Sequence, residues 1–388
     1  MSKKIQALFF PLLLLLVISC KQEYMPVSKE SLKDLLVVEG FINSGTGPTV
    51  IHLSRTTALK DSVLSRSENN AIVKVEGDDG SSADLTESGN GDYQDDQLSL
   101  SEPVQYRLHI KTQNGKEYVS EYSIVKHTPP VDSISWQRKN EGVLFLAHAH
   151  DAATASRYFR WKYEETWEYH SEYFTSLNYV FDPVTKVAYT VEYRHPDHSN
   201  DTTLYKCWKT IASSSVIVGS SENLSENIIA YPVQYIEHAS EKLSILYSLM
   251  IKQYSVSKDA YLFYQRLKKN TEQIGSLFDA QPSQIKGNIR SLSDPAETVI
   301  GFVEVTDEKS ARIFLSNASL PDWNYETGCV FVEVPNDIFS VAYAAYDLVP
   351  TNPAKLDMTG AILSFHAAKP ACVYCTINHT NQRPDFWP

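Results

Sequence analysis

Three groups of side chains have the types and spacing for chemistry: paired cysteines, paired histidines, and carboxylates set among aromatic rings. Cys372 and Cys375 stand in a C-x-x-C spacing, which serves a local disulfide, half of a four-thiolate zinc site or a redox-active pair. No second close pair completes a zinc site, so a structural bridge is expected. His148 and His150 share a face if they lie on a strand, and His195 and His198 flank Pro196-Asp197 in a polar loop. Pairs of this kind hold divalent metal only where they converge with a third ligand, and no H-E-x-x-H helix is present. No metal is expected. Asp92, Asp95 and Asp96, and Glu76, Asp78 and Asp79, lack the spacing of a calcium loop and read as solvated turns. Glu164, Glu165 and Glu168 sit where a glycosidase pair would hide, although only the fold sets the separation such a pair needs. With no G-x-S-x-G elbow, P-loop or dinucleotide fingerprint, no catalytic residue is assigned and no cofactor is expected.

The fifth cysteine has a different chemistry. Lys3 and Lys4 precede an apolar run from Ile5 to Ile18 that ends at Ser19-Cys20. The run is shorter than the roughly 18 to 20 apolar residues of a spanning helix and reads as an export signal. The residues before Cys20 resemble a bacterial lipobox, in which the cysteine is lipidated on sulfur and becomes the acylated N-terminus. Several acyl chains hold a protein far more firmly than one, at about 0.8 kcal/mol per buried CH₂. Residues 1–19 are therefore the expected signal peptide, and 20–34 the acylated cysteine and a polar tether. Lys21, where an aspartate would favour inner-membrane retention, points to the outer membrane.

Taking 19 residues from the 388 leaves 369, enough for two or three domains. Removing Lys3 and Lys4 moves the formal charge from -12 to -14. An acidic surface with no basic stripe repels nucleic acid and argues against it as a partner.

Strand-like runs at 35–42, 49–53, 71–76, 105–110 and 117–124 are punctuated by turn signals, of which Asn114-Gly115 is the sharpest hairpin. They predict an immunoglobulin-like or transthyretin-like β-sandwich over 35–128, closed by Pro129-Pro130. A larger, mainly β domain is expected over 131–388. Within it, Phe159, Trp161, Tyr163, Trp167 and Tyr169 alternate with polar residues, the period-two pattern of a strand. The aromatic face is either half of a sandwich core or a ligand platform made of Trp161, Tyr163, Trp167 and Tyr169. A single helix is expected near 257–272, capped by Ser257 and striped by Ala260, Tyr261, Phe263, Tyr264 and Leu267. Strands resume at 298–305 and 310–315. The four cysteines after Cys20 allow three full pairings. Cys372–Cys375 with Cys207–Cys329 is the expected set, and the alternative ties Cys207 or Cys329 to the tail.

The run from Tyr261 to Asn288, with Gly275-Ser276-Leu277-Phe278-Asp279, Pro282 and Ile285-Lys286-Gly287-Asn288-Ile289, resembles the signature of the domain of unknown function 4249 family of Bacteroidota outer-membrane lipoproteins. Val218-Gly219-Ser220 before Leu224-Ser225, Gly301-Phe302-Val303 before Arg312-Ile313-Phe314, and the cysteine pair followed by Pro384-Asp385-Phe386-Trp387 agree in order. The similarity runs from about Leu35 to Trp387. The family's glycine-rich stretch before the final Pro-Asp-Phe-Trp is Ile377-Asn378-His379-Thr380-Asn381 here. The resemblance implies neighbourhood with genes of TonB-dependent receptors and carries over no catalytic residue. The expected function is an outer-membrane, surface-exposed accessory or ligand-binding subunit of a TonB-dependent nutrient-uptake system. The alternative is a surface hydrolase of glycan or peptide whose catalytic residues no motif betrays.

Overall fold

The computed structural model of the protein describes residues 34–57, 65–151, 156–272 and 286–388. The expected export signal, Cys20, the expected tether up to residue 33 and the stretch 273–285 of the family signature lie outside the described residues. Among the described residues the chain is predominantly β-strand, in two-layer and curled arrangements that bury one face of each sheet.

Twelve strands among the described residues make the N-terminal sheet, which curls into a half-barrel. Its core is Leu36, Val38, Ile51, Leu53, Val73, Val75, Tyr93, Leu108, Ile110 and Tyr118. The Asn114-Gly115 hairpin is present: Tyr106–Lys111 pairs antiparallel with Glu117–Ser120, and Gly115 takes the positive φ of 83° that such a turn requires. The sheet does not end at Thr128. Ile289–Ser291 adds to the edge at Glu117–Ser120, while Ile300–Gly301 and Val305–Thr306 run parallel to Leu36–Asn43. The Lys286-Gly287-Asn288 motif serves this insertion. A Cβ on Gly287 would stand 1.5 Å from the Gly301 carbonyl oxygen, so only glycine fits. The buried Asn288 amide donates to the Val303 carbonyl at 2.7 Å and accepts from the Val303 N–H at 2.9 Å, pinning the returning chain.

The proline joint is hydrogen-bonded to the chain beyond it. Thr128 Oγ1 accepts from Ser255 N and donates to the Asp307 carbonyl, and Gln253 Nε2 donates to the Pro129 carbonyl at 2.9 Å. Past the joint, Tyr158–His170 lies centrally in a five-stranded sheet. It is flanked on one side by Lys206–Ala212 and Ile217–Ser220, and on the other by Leu246–Ser255 and then Lys309–Ser316. A three-stranded sheet of Ser133–Lys139, Gly142–His150 and Ile228–Ile236 forms the facing layer, and Val143, Phe145, Ala147, Ile229 and Val233 join Phe159, Trp161 and Leu249 in one core.

The expected helix is α1 (Lys258–Glu272). The Ser257 hydroxyl accepts from the Ala260 N–H at 3.1 Å, and Ala260, Phe263 and Tyr264 are buried with Phe41, Tyr254 and Phe302 at the seam between the two sheets. It is not the single helix expected: α2 (Ile338–Ala344) and the one-turn α3 (Pro370–Val373) also form. α2 belongs to a third module. There the hairpin of Leu177–Phe181 and Ala188–Tyr193 joins a sheet of Phe331–Pro335, Ile362–Ala368 and Val349–Leu356 around Leu177, Val191, Val341, Ala344 and Phe365. The region after Pro130 thus holds distinct apolar cores.

The expected cysteine pairing is corrected. Cys207 bonds Cys375 and Cys329 bonds Cys372, each with Cα atoms 5.8 Å apart. The two cysteines of the C-x-x-C spacing therefore reach different elements; the alternative ties Cys207 or Cys329 to the tail, and the structure ties both. Cys207 lies on the central sheet and Cys329 precedes the Phe331–Pro335 strand, so proximity in space outweighed proximity in sequence.

Candidate functional site

Of the two readings of the aromatic row, sandwich core or ligand platform, burial supports the core and removes the platform. Trp161, Trp167 and Tyr169 are 1%, 2% and 8% exposed, and Tyr163 is half-buried. The facing layer covers one end: Trp161 stacks on Tyr231 at 4.9 Å and its Nε1 donates to Gln253 Oε1 at 2.8 Å. The C-terminal tail covers the other, with the His379 ring stacked on Tyr169 at 4.4 Å and its Nε2 3.4 Å from Glu241 Oε1. Trp167 Nε1 donates to the same Glu241 oxygen at 3.2 Å. The His379 hydrogen bond holds the Glu241 carboxyl below its usual range, against the opposing effect of burial.

The carboxylates of this strand do not form a catalytic pair. Glu165 shares the core face with the tryptophans and is bound by Lys242 Nζ at 2.6 Å, the Tyr247 hydroxyl at 2.9 Å and Gln234 Nε2 at 3.0 Å. Burial, then the Glu165 charge, pushes the Tyr247 hydroxyl far up. Glu168 points to the opposite face, where Trp387 Nε1 donates to it at 3.0 Å and Lys206 Nζ at 2.9 Å. Burial alone would raise the pKa of Glu168, but donors from Lys206, Trp387 and His170 outweigh it and lower it. Glu164 and Glu168 do share a face, yet four residues of strand separate their Cα atoms by about 13 Å, beyond the roughly 5 to 9.5 Å between carboxyl groups in glycosidases.

The histidine pairs are each engaged locally. His148 Nε2 lies 2.6 Å from Ser135 Oγ, His150 Nδ1 2.8 Å from Asp132, and His198 stacks on Tyr193 at 3.5 Å. Among the described residues no group of three metal-ligating side chains converges.

Exposed aromatic surface occurs elsewhere, on α2. Asp337 caps the helix by accepting from the Phe339 and Ser340 N–H groups, and this contact lowers its pKa. Val341 and Ala344 face the module core. On the other side Phe339, Tyr343 and Tyr346 are 84%, 85% and 93% exposed. Their i, i+4, i+7 spacing sets them in one stripe, and the turn bonds Ala345 N to Val341 O and Tyr346 N to Tyr343 O carry the helical path to the last ring. α2 packs against Ala188–Tyr193 and Phe331–Pro335, which contribute exposed Tyr189, Phe331 and Val332. Phe331–Pro335 is also a sheet edge, paired on one side by Ile362–Ala368. Clustered exposed apolar surface of this kind marks interaction sites. Asp337 and the exposed Asp347 flank the stripe, and exposed Glu192 lies on the strand beneath. Sequence reasoning missed this helix, although Ile338, Phe339, Val341, Tyr343, Ala344 and Tyr346 carry an apolar pattern too dense for one buried face.

No curated protein matches the sequence. Among solved structures, a chitinase from Bacillus thuringiensis is similar at 9% identity and a TM-score of 0.16, over 54% of this chain and 30% of the chitinase. The chicken interferon gamma receptor alpha chain is similar at 9% identity and a TM-score of 0.16, over 57% of this chain and 89% of the receptor chain. The chain thus spans less than a third of the chitinase, and scores this low carry no argument. The family described as Domain of unknown function (DUF4249) matches residues 21–312, ending before Cys372 and Cys375 of the tail and before Pro384–Trp387. That match covers most of the sequence, and the chain belongs to this family.

Proposed function

We propose that the protein is a lipid-anchored accessory or ligand-binding subunit at the outer face of the outer membrane, docking on a TonB-dependent receptor. Its N-terminal sheet is read as an immunoglobulin-like or transthyretin-like module near the acylated Cys20, and its third module as the part that meets the partner. The observation that carries this reading is the Phe339–Tyr343–Tyr346 stripe, large rigid rings held in solvent by a capped helix whose other face is anchored. Aromatic rings give contact area at low entropic cost. A helix presenting i, i+4 and i+7 anchors fits an apolar groove. The acidic flank of Asp337, Asp347 and Glu192 selects a groove with a cationic rim.

Affinity purification from detergent-solubilised outer membranes tests it. A TonB-dependent receptor is expected with the wild type and lost with Phe339→Ser/Tyr343→Ser/Tyr346→Ser. A monodisperse monomer without partner, or equal recovery with the triple variant, would overturn the docking role. The anchor is tested separately: radiolabelled palmitate should enter the wild type and not Cys20→Ala, and external protease should cut the protein in intact cells.

A further inference from the structure

The outer face of the central sheet carries an arrangement that the docking surface does not use. On Tyr158–His170 the residues opposite the core are Arg160, Lys162, Glu164, Thr166, Glu168 and His170, by the two-residue period of a strand. One end of this face is covered by α1, where Arg160 Nη1 donates to the Tyr264 hydroxyl at 2.8 Å. The other is covered by the tail, where Trp387 sits on Glu168 and the Arg312 guanidinium lies 3.5 Å from the centre of the Phe386 ring. Between the two covers Lys162 is exposed and Lys252 partly so, and the two stand directly opposite each other in the antiparallel register.

Like charges directly opposite one another destabilise a sheet, and this pair stands in a chain of net charge -12. Lys162 is exposed and makes no ion pair among the described residues. Among the described residues the carboxylate paired with Lys252 is a distant one, Glu308 Oε1 at 3.8 Å, whose other oxygen is taken by the Tyr254 hydroxyl at 2.5 Å. Glu164 is turned to Arg312 Nη2 at 3.8 Å. Glu39 approaches from the N-terminal sheet without a close contact to either lysine. Packing around the Lys162 stem, then the Arg160 and Lys252 charges, lowers its amine pKa although the side chain reaches solvent. Two cations held side by side, with a wall of protein at each end, make a site for a compact anion.

We infer that Lys162 and Lys252 together bind an anionic oxygen group, a carboxylate or a phosphate, on the sheet face between α1 and the C-terminal tail. The group bridges the two ammonium ions and turns a repulsive cross-strand pair into two charge-assisted hydrogen bonds. Arg312 borders the site beside Glu164. The inference is independent of the aromatic stripe and holds whether or not that stripe docks on a receptor.

Thermal unfolding of the full chain in sodium phosphate and in sodium succinate, each against sodium chloride of equal ionic strength, tests it. A rise in melting temperature of about 2 °C is expected at a concentration ten times the dissociation constant, and the anion that produces it names the class. Lys162→Met and Lys252→Met should each abolish the rise while leaving the melting temperature in chloride equal to or above the wild type, because repulsion is relieved. A lysine with a merely structural role would leave the rise in place. No rise with either anion, or the same rise in both variants, would overturn the inference.

Discussion

The Tyr158–His170 strand and helix α2 carry comparable aromatic loads and meet opposite fates. On the strand the rings alternate cleanly and are buried, because a second sheet covers one end and the bonded tail closes the other. On α2 the rings sit at helical spacing, and Val341 and Ala344 have already satisfied the core on the other face. Periodicity tells which residues share a face. Whether that face is dry depends on what the rest of the chain lays over it.

Truncating a strand ring sharpens the contrast most. Trp161→Ala should cost about 3 to 5 kcal/mol through the cavity it leaves and the unpaired Gln253 amide, read as a lower denaturation midpoint. Removing the tail bond comes next. Cys207→Ala/Cys375→Ala should cost about 2 to 4 kcal/mol and loosen the cover over Tyr169, raising its solvent accessibility in fluorescence or footprinting. If the midpoint barely moves, the Cys329–Cys372 bond and the His379 and Trp387 contacts suffice to hold the tail.

Acid probes the same cover. The pKa values of Glu168 and Glu241 are lowered in the folded state, so their contribution is full above the unfolded carboxylate value of about 4.3 and is lost as pH falls through the lower folded values. Stability followed from pH 7 to pH 3 should drop below about pH 5, and more gently in Glu168→Gln/Glu241→Gln. An equal slope would mean these contacts do not hold the tail down. On α2, Asp337→Ala removes the cap and should cost about 1 kcal/mol. Smallest of all, Phe339→Ser, Tyr343→Ser and Tyr346→Ser should each change stability by no more than about 0.5 kcal/mol, since exposed rings support little of the fold. A larger loss in any of them would show that the stripe is structural and break the comparison.

Local signals were legible in the sequence where local chemistry decides. Asn114-Gly115 dictates a hairpin, and Ser257 with the apolar spacing after it dictates α1, because both depend on residues a few positions apart. The disulfide pairing was not legible, since Cys372 and Cys375 each found a partner brought close only by the folded sheets. Nor was α2. It has seven residues, too few for a periodic stripe to declare itself, and apolar side chains on both faces blur what pattern remains. The lysine pair was hidden for a third reason: Lys162 and Lys252 become neighbours only through strand register.

The returning segment that completes the first sheet has a consequence for biogenesis. Val37 pairs with Ile300, so the N-terminal strand waits for a stretch some 260 residues downstream before its ladder is filled. During synthesis the early strands emerge with an open edge at Leu36–Asn43, the kind of edge that recruits foreign strands. A fragment ending at Thr128 should therefore aggregate where the whole protein does not. The first strand therefore stays unprotected until residue 306 has been made and can pair with it.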